Sequence, residues 1–164
     1  MVLLASVVGC EPRSKAKKID FLSFSIVVPP DWKADTITNS METASGARIN
    51  IDFGIYAPKF DESVILVPLS EYKLHDSLTR ESVIFSEDVA IDRIQGTFLK
   101  SYYFYDTIND KKAKVMVPKH IGHGSIGISF REIDSQRNHI SIFTKDLDTL
   151  EHFKFLEMIQ TISF

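Results

Sequence analysis

Residues 122–130, Gly122-His123-Gly124-Ser125-Ile126-Gly127-Ile128-Ser129-Phe130 (GHGSIGISF), admit two incompatible folds. Gly122, Gly124 and Gly127 spell G-x-G-x-x-G, which in a dinucleotide fold follows a strand and opens a helix whose N-terminus faces a pyrophosphate. The other reading is a turn that runs into an antiparallel strand. The residues after the glycines decide between them. From Ser125 onward they alternate, with Ile126, Ile128 and Phe130 on one face and Ser125, Gly127 and Ser129 on the other. That is the period of a strand, and a parallel βαβ unit of about 30 residues cannot be built on it. A nucleotide site is therefore excluded. A nucleophile elbow fails for the same reason, and His123 stands where its first glycine belongs. The glycines are expected to serve a chain reversal, where positive φ costs them little.

Working outward, Ala113 to Val117 reads as a strand before the turn, and Gly96 to Tyr105 (GTFLKSYYFY) as a long aromatic strand joined to it through the polar turn Thr107–Lys112. On the other side, Ser125 to Arg131 and Asn138 to Thr144 form a second hairpin around residues 134–137. Asp148-Thr149-Leu150-Glu151 then has the form of a capping box. It predicts a terminal helix in which Leu150, Phe153, Leu156 and Ile159 share a face broadened by Phe155 and Met158. Thr161 to Phe164 is a short strand or tail.

Toward the N-terminus, Arg48 to Tyr56 (RINIDFGIY) is the clearest strand, with Ile49, Ile51, Phe53 and Ile55 on its buried face and Asp52 facing away. Ile19 to Val28 (IDFLSFSIVV) reads as one strand stopped by Pro29-Pro30, and Trp32 as a core residue. Thr36 to Ala44 is a loop with room for a short strand. Val64 to Val67, Val83 to Phe85 and Val89 to Ile94 read as short extended pieces. Residues 69–82 fit either a helix, capped at Ser70 with Leu74 and Leu78 one turn apart, or more sheet. The sum is an α+β fold: a mainly antiparallel β-sheet built from hairpins, with flanking helices.

Composition narrows the function. The 164 residues carry 19 basic and 22 acidic side chains for a net charge of −3, interleaved along the chain, and 44% are hydrophobic. No basic face marks a nucleic-acid site. The one basic cluster, Arg13 to Lys18, lies behind an apolar opening, MVLLASVVGC, in which no charge precedes Glu11. That run is far shorter than the ~20 residues that cross a bilayer as a helix. It fits the apolar part of a secretory signal, truncated in that it lacks a positive leading region. Val7-Val8-Gly9-Cys10 resembles a bacterial lipobox, which implies cleavage before Cys10 and acylation of its thiol. Cys10 is the sole cysteine, so no internal disulfide competes for it. The expected organisation is a signal segment over 1–9, a polar linker over 10–18 behind the lipidated cysteine, and one domain over 19–164.

Other chemistry is sparse. His120 and His123 on one loop are weak metal candidates, but zinc wants three or four ligands and no second cysteine is present. His139 lies at the far end of its hairpin, about 20 Å away at the rise of a strand. Adjacent acids such as Asp61-Glu62 and Glu87-Asp88 read as solvated turns. No cofactor is implied. Tyr102, Tyr103 and Tyr105 are weak candidates for a binding surface.

Phe24-Ser25-Ile26, Pro29 and Trp32, the central hairpins and the ending I-Q-T-I-S-F are similar to PsbP-like domains. NIDFGIY, KAKVMVPK and GHGSIGISF resemble small Bacteroidetes-type lipoproteins. The resemblance implies an αβα sandwich acting as an accessory or binding module. The expected function is that of a lipid-anchored protein of the bacterial cell envelope, facing the periplasm or the cell surface. Its expected partners are the membrane, through the anchor, and an envelope protein. The rival reading is an envelope metal-assisted hydrolase using the His120/His123 loop.

Overall fold

The computed structural model describes residues 15–55, 57–58, 60 and 64–164. Cys10 and the signal segment lie outside the described residues. The strands are β1 (Lys17–Asp20), β2 (Ser25–Val28), β3 (Lys33–Asp35), β4 (Ser40–Glu42), β5 (Arg48–Gly54), β6 (Leu66–Pro68), β7 (Ile84–Ser86), β8 (Ser101–Ile108), β9 (Lys111–Pro118), β10 (Ser125–Phe130) and β11 (His139–Lys145). A 3₁₀ turn (Leu69–Leu74) and α1 (Ser77–Ser82) lie between β6 and β7; α2 (Val89–Gln95) comes after β7, and α3 (Thr149–Ile159) after β11.

Seven strands form the main sheet in the order β3-β4-β5-β11-β10-β9-β8, every pair antiparallel. Alternation in β10 sorts its residues as the sequence requires. Ile128 lies opposite Val115 of β9 and Ile142 of β11, and Ile142 lies opposite Ile51 of β5, so one apolar row crosses four strands. The neighbouring row is Ala113, Phe130, Ile140 and Phe53. Apart from Phe53, these rows are covered by α3, through Phe155, Met158 and Ile159, and by Ile26 and Val28 of the β1–β2 hairpin. Ile26, Ile128, Phe130, Ile140, Ile142 and Phe155 are fully buried, which makes this layer the main source of hydrophobic stabilisation.

The opposite face carries Gly127 and Phe143 in one row and Ser129, Ser141 and Asp52 in the next. The segment after β5 crosses it. The Pro58 carbonyl accepts hydrogen bonds from the hydroxyls of Ser129, at 3.3 Å, and Ser141, and the Phe60 ring meets Phe143 edge-on at 5.9 Å. Polar residues thus face a covered surface without losing their partners.

Several expectations change. Ile19–Val28 is not one strand: it folds back between Asp20 and Ser25, so that Ile19 pairs with Ile26, and β1 starts at Lys17, inside the expected linker. The segment Val89–Ile94 is a helix. Asp88 caps it by accepting from the Ile91 N–H at 3.0 Å, and Gly96 ends it at φ +62. The aromatic strand consequently begins at Ser101 instead of Gly96. Its hairpin is tighter than six polar residues would suggest, because Asn109 and Asp110, at φ +46 and +63, suffice to turn the chain. Residues 69–82 are helical in two separate pieces, and Leu74 and Leu78 are exposed. The buried face of α3 runs through Glu151, His152, Phe155, Met158 and Ile159, which leaves Leu150 and Phe153 in solvent. A spacing of three drifts around a helix of 3.6 residues per turn, so four residues chosen by that spacing cannot all face inward. The pair β6–β7 is parallel and lies outside the main sheet.

Candidate functional site

The GHGSIG loop is a tightly bonded turn. The His123 N–H donates to the His120 carbonyl at 3.1 Å, with Gly122 at φ +89 in the third position of the turn, as a type II geometry requires. The Gly124 N–H donates to the Asp146 carboxylate at 2.8 Å, and the Asp146 N–H donates back to the Gly124 carbonyl at 2.8 Å. These bonds clamp the loop to the end of β11. Gly127 serves another purpose. A Cβ there would stand 2.7 Å from the Phe60 ring and 2.8 Å from Phe143 Cβ, so this glycine makes room for the segment that covers the sheet. Only two of the three glycines therefore serve chain reversal.

His120 and His123 face each other across the turn as a bridge pair, and both are exposed. Among the described residues no group of three or more His, Cys, Asp or Glu side chains is placed to hold a metal. His139 lies opposite Gly54, whereas Ser125, next to the loop, lies opposite Lys145, so the β10–β11 ladder separates them as expected.

Tyr102, Tyr103 and Tyr105 do not form one surface. They lie on the edge strand β8, where Tyr102 faces the side of Val117 and Tyr103 that of Met116. Tyr105 shares the side of Tyr103 by parity and is 75% exposed. Each of the first two carries an ammonium: Lys119 Nζ lies 5.5 Å from the Tyr102 ring and Lys114 Nζ 5.0 Å from that of Tyr103.

A cleft that the motifs do not indicate lies at the other end of the sheet. β5 runs from Arg48 to Gly54, but β4 accompanies it only as far as Asn50. One further bond, from the Ile51 N–H to the Asn39 carbonyl at 3.0 Å, closes the contact, and Asn39 then turns away at φ +47. Beyond that point the outer edge of β5 faces the β1–β2 turn across a cleft of ≈ 840 Å³. Phe21 and Phe24, stacked at 5.2 Å, form its buried floor with Ile51. Leu22 rims it at 86% exposure, with Phe53 and Ile55, both expected in the core, at 40% and 51%. The volume suits a small ligand or a few residues of peptide.

The cleft has a polar side as well. Asp52 is the one charged residue among its described lining residues. Two more carboxylates, outside the lining, bond to lining residues. Asp35 accepts from the Thr38 hydroxyl at 2.8 Å, and Asp134 accepts from the Asn138 amide at 2.8 Å. These hydrogen bonds, chiefly the Thr38 hydroxyl and the Asn138 side chain, hold both carboxyls below the ordinary value and keep them ionised at neutral pH. Sequence reasoning misses the cleft because IDFLSFSIVV has the pattern of one continuous strand. The Leu22-Ser23 turn that makes one wall contains no glycine, proline or asparagine to signal a reversal.

Compared with family models, with curated proteins and with solved structures, the chain gives no significant match.

Proposed function

We propose that this chain is a lipid-anchored protein of the bacterial cell envelope, similar to small Bacteroidetes-type lipoproteins with a PsbP-like αβα domain, and that it works as a non-catalytic binding or accessory module. The observation that carries the binding reading is the cleft beside β5. Its described lining joins an apolar wall of Phe21, Leu22, Phe24 and Phe53 to the hydroxyl and amide groups of Thr38, Asn39 and Asn138 and the carboxylate of Asp52, a set suited to holding a ligand. The anchor reading rests on Val7-Val8-Gly9-Cys10. From Cys10 to Lys17 is seven residue steps. At full extension that is about 25 Å, so acylation of Cys10 would keep the domain against the membrane surface. Two or more acyl chains make such an anchor stable where one is marginal.

The test is metabolic labelling with palmitate in a bacterial host that processes lipoproteins. Label on the wild-type chain that disappears in Cys10→Ala, with release of the protein from the membrane fraction, supports the anchor. Label that survives Cys10→Ala overturns it.

A further inference from the structure

We propose that the cleft binds an extended peptide by strand addition to β5. The proposal rests on the reading of the chain as a binding module and names the class of its ligand. Parity along β5 sets the direction of its bonding groups. The Ile51 N–H bonds outward to Asn39, so odd-numbered residues direct their main-chain groups away from β11, and even-numbered ones direct theirs toward it. Phe53 is the next odd residue. Its N–H and C=O therefore point into the cleft, and no described strand lies there to receive them. An open edge of this kind is a template for another strand, and proteins that do not use such edges blunt them with proline, lysine or a bulge. Asp52, Phe53 and Ile55 include no proline or lysine, and β5 ends one residue beyond Phe53 at Gly54, φ +120, so the template offered is the N–H and C=O of Phe53.

The surroundings define the occupant. A strand added in line with β4 would direct alternate side chains toward Leu22 and Phe24 on the helix side of the sheet. The β1–β2 turn stands off from β5 there and leaves the gap for them. Charge gives the second selection. Asp52 lines the cleft, Asp35 and Asp134 accept hydrogen bonds from its Thr38 and Asn138, and no lysine or arginine is among its described lining residues. The fitting ligand is an extended segment with apolar residues at every second position and a basic residue beside them. Main-chain bonds would supply affinity, and the apolar wall with the acidic rim would supply the choice of sequence.

The experiment uses the full chain carrying Cys10→Ser, so that failure of the anchor reading cannot affect it. The probe is a pool of capped heptapeptides with alternating valine or isoleucine and lysine at the ends, with amide hydrogen exchange and chemical shifts at Phe53 as the readout. The expected result is protection of the Phe53 amide on saturation. Affinity should drop at least tenfold when the central peptide nitrogen is methylated, in Leu22→Asp, and when the end lysines are replaced by glutamate. Leu22 is exposed and its substitution leaves the core alone; an unchanged thermal midpoint checks this. No protection of Phe53 at millimolar pool overturns the proposal, as does equal binding of the N-methylated peptide. Protection that grows with protein concentration and no peptide would assign the edge to a second copy of the chain and overturn it as well.

Discussion

The two ends of the main sheet differ in how their backbone is satisfied. At the GHGSIG end, the Gly124 and Asp146 main chains bond to each other, a carboxylate caps the loop, and the residues that look catalytic stand in solvent. At the far end, β5 outruns β4 by several residues, and the edge opens into a cleft with an apolar floor and a polar side. The conspicuous motif marks the end that is already satisfied. The site with unused bonding capacity lies where the sequence looks ordinary. Glycine-rich stretches report backbone geometry, whereas a binding edge arises from two elements of unequal length.

This contrast can be broken by mutation. The largest effect is expected for Gly127→Ala. The added methyl meets Phe60, Phe143 and the Ile142 carbonyl within 2.9 Å, so the closed region must spread, at a cost of about 2–3 kcal/mol in urea denaturation. Next is Glu151→Leu. Glu151 does not complete the expected capping box. Asp148 accepts from its N–H at 2.8 Å, but its own buried carboxylate accepts from the Ser45 N–H at 2.9 Å and the Ser45 hydroxyl at 2.6 Å. Removing it strands both donors and should cost about 1–3 kcal/mol, read in the same denaturation experiment.

Gly124→Ala should cost about 1–2 kcal/mol, because φ of +115 strains any side chain and Pro118 Cβ lies 3.3 Å away. His152 gives a smaller, pH-dependent term. Burial lowers its pKa from the ordinary 6.5, and its Nδ1 has no partner in the described structure. The unfolded chain therefore takes up a proton that the folded one resists, and stability falls as pH drops below about 6.5. His152→Leu should flatten denaturation midpoints measured from about pH 7.5 to 5. The carboxyls of Asp31, Asp35 and Asp134, lowered from 3.8, titrate below that window. The smallest effects belong to exposed positions at either end. His120→Ala/His123→Ala and Leu22→Ser should each stay within about 0.5 kcal/mol, by thermal melting. A larger loss for the histidine pair, or metal bound by wild type and lost in the double variant, would show that the closed end does more than turn the chain.

Legibility tracks the range of the interaction. Period-two alternation identifies β5, β9, β10 and β11, because side chains on one face of a strand must meet one core whatever they pair with. Asp148 identifies α3 through a bond three residues long. Sequence and structure part where local signals are weak or compete. Residues 89–94 have β-branched content, yet the Asp88 and Gly96 caps make them a helix. The face of α3 is displaced because Glu151 and His152 are polar by type but buried by position. Trp32 is core as its type implies, since so large an apolar surface stabilises most when buried.

By itself, the sequence determined the class of fold and the antiparallel course of residues 111–145, since alternation, turn residues and caps act over a few positions. It also carries the Val7–Cys10 pattern that any test of anchoring must address. Tertiary structure decided the rest. That β5 pairs with β11, that β4 stops short beside it, and that Phe21 to Phe24 fold back to wall the gap are long-range outcomes of core packing. No local spacing encodes the unequal lengths of two neighbouring strands, and the open edge of β5 exists only because of that inequality.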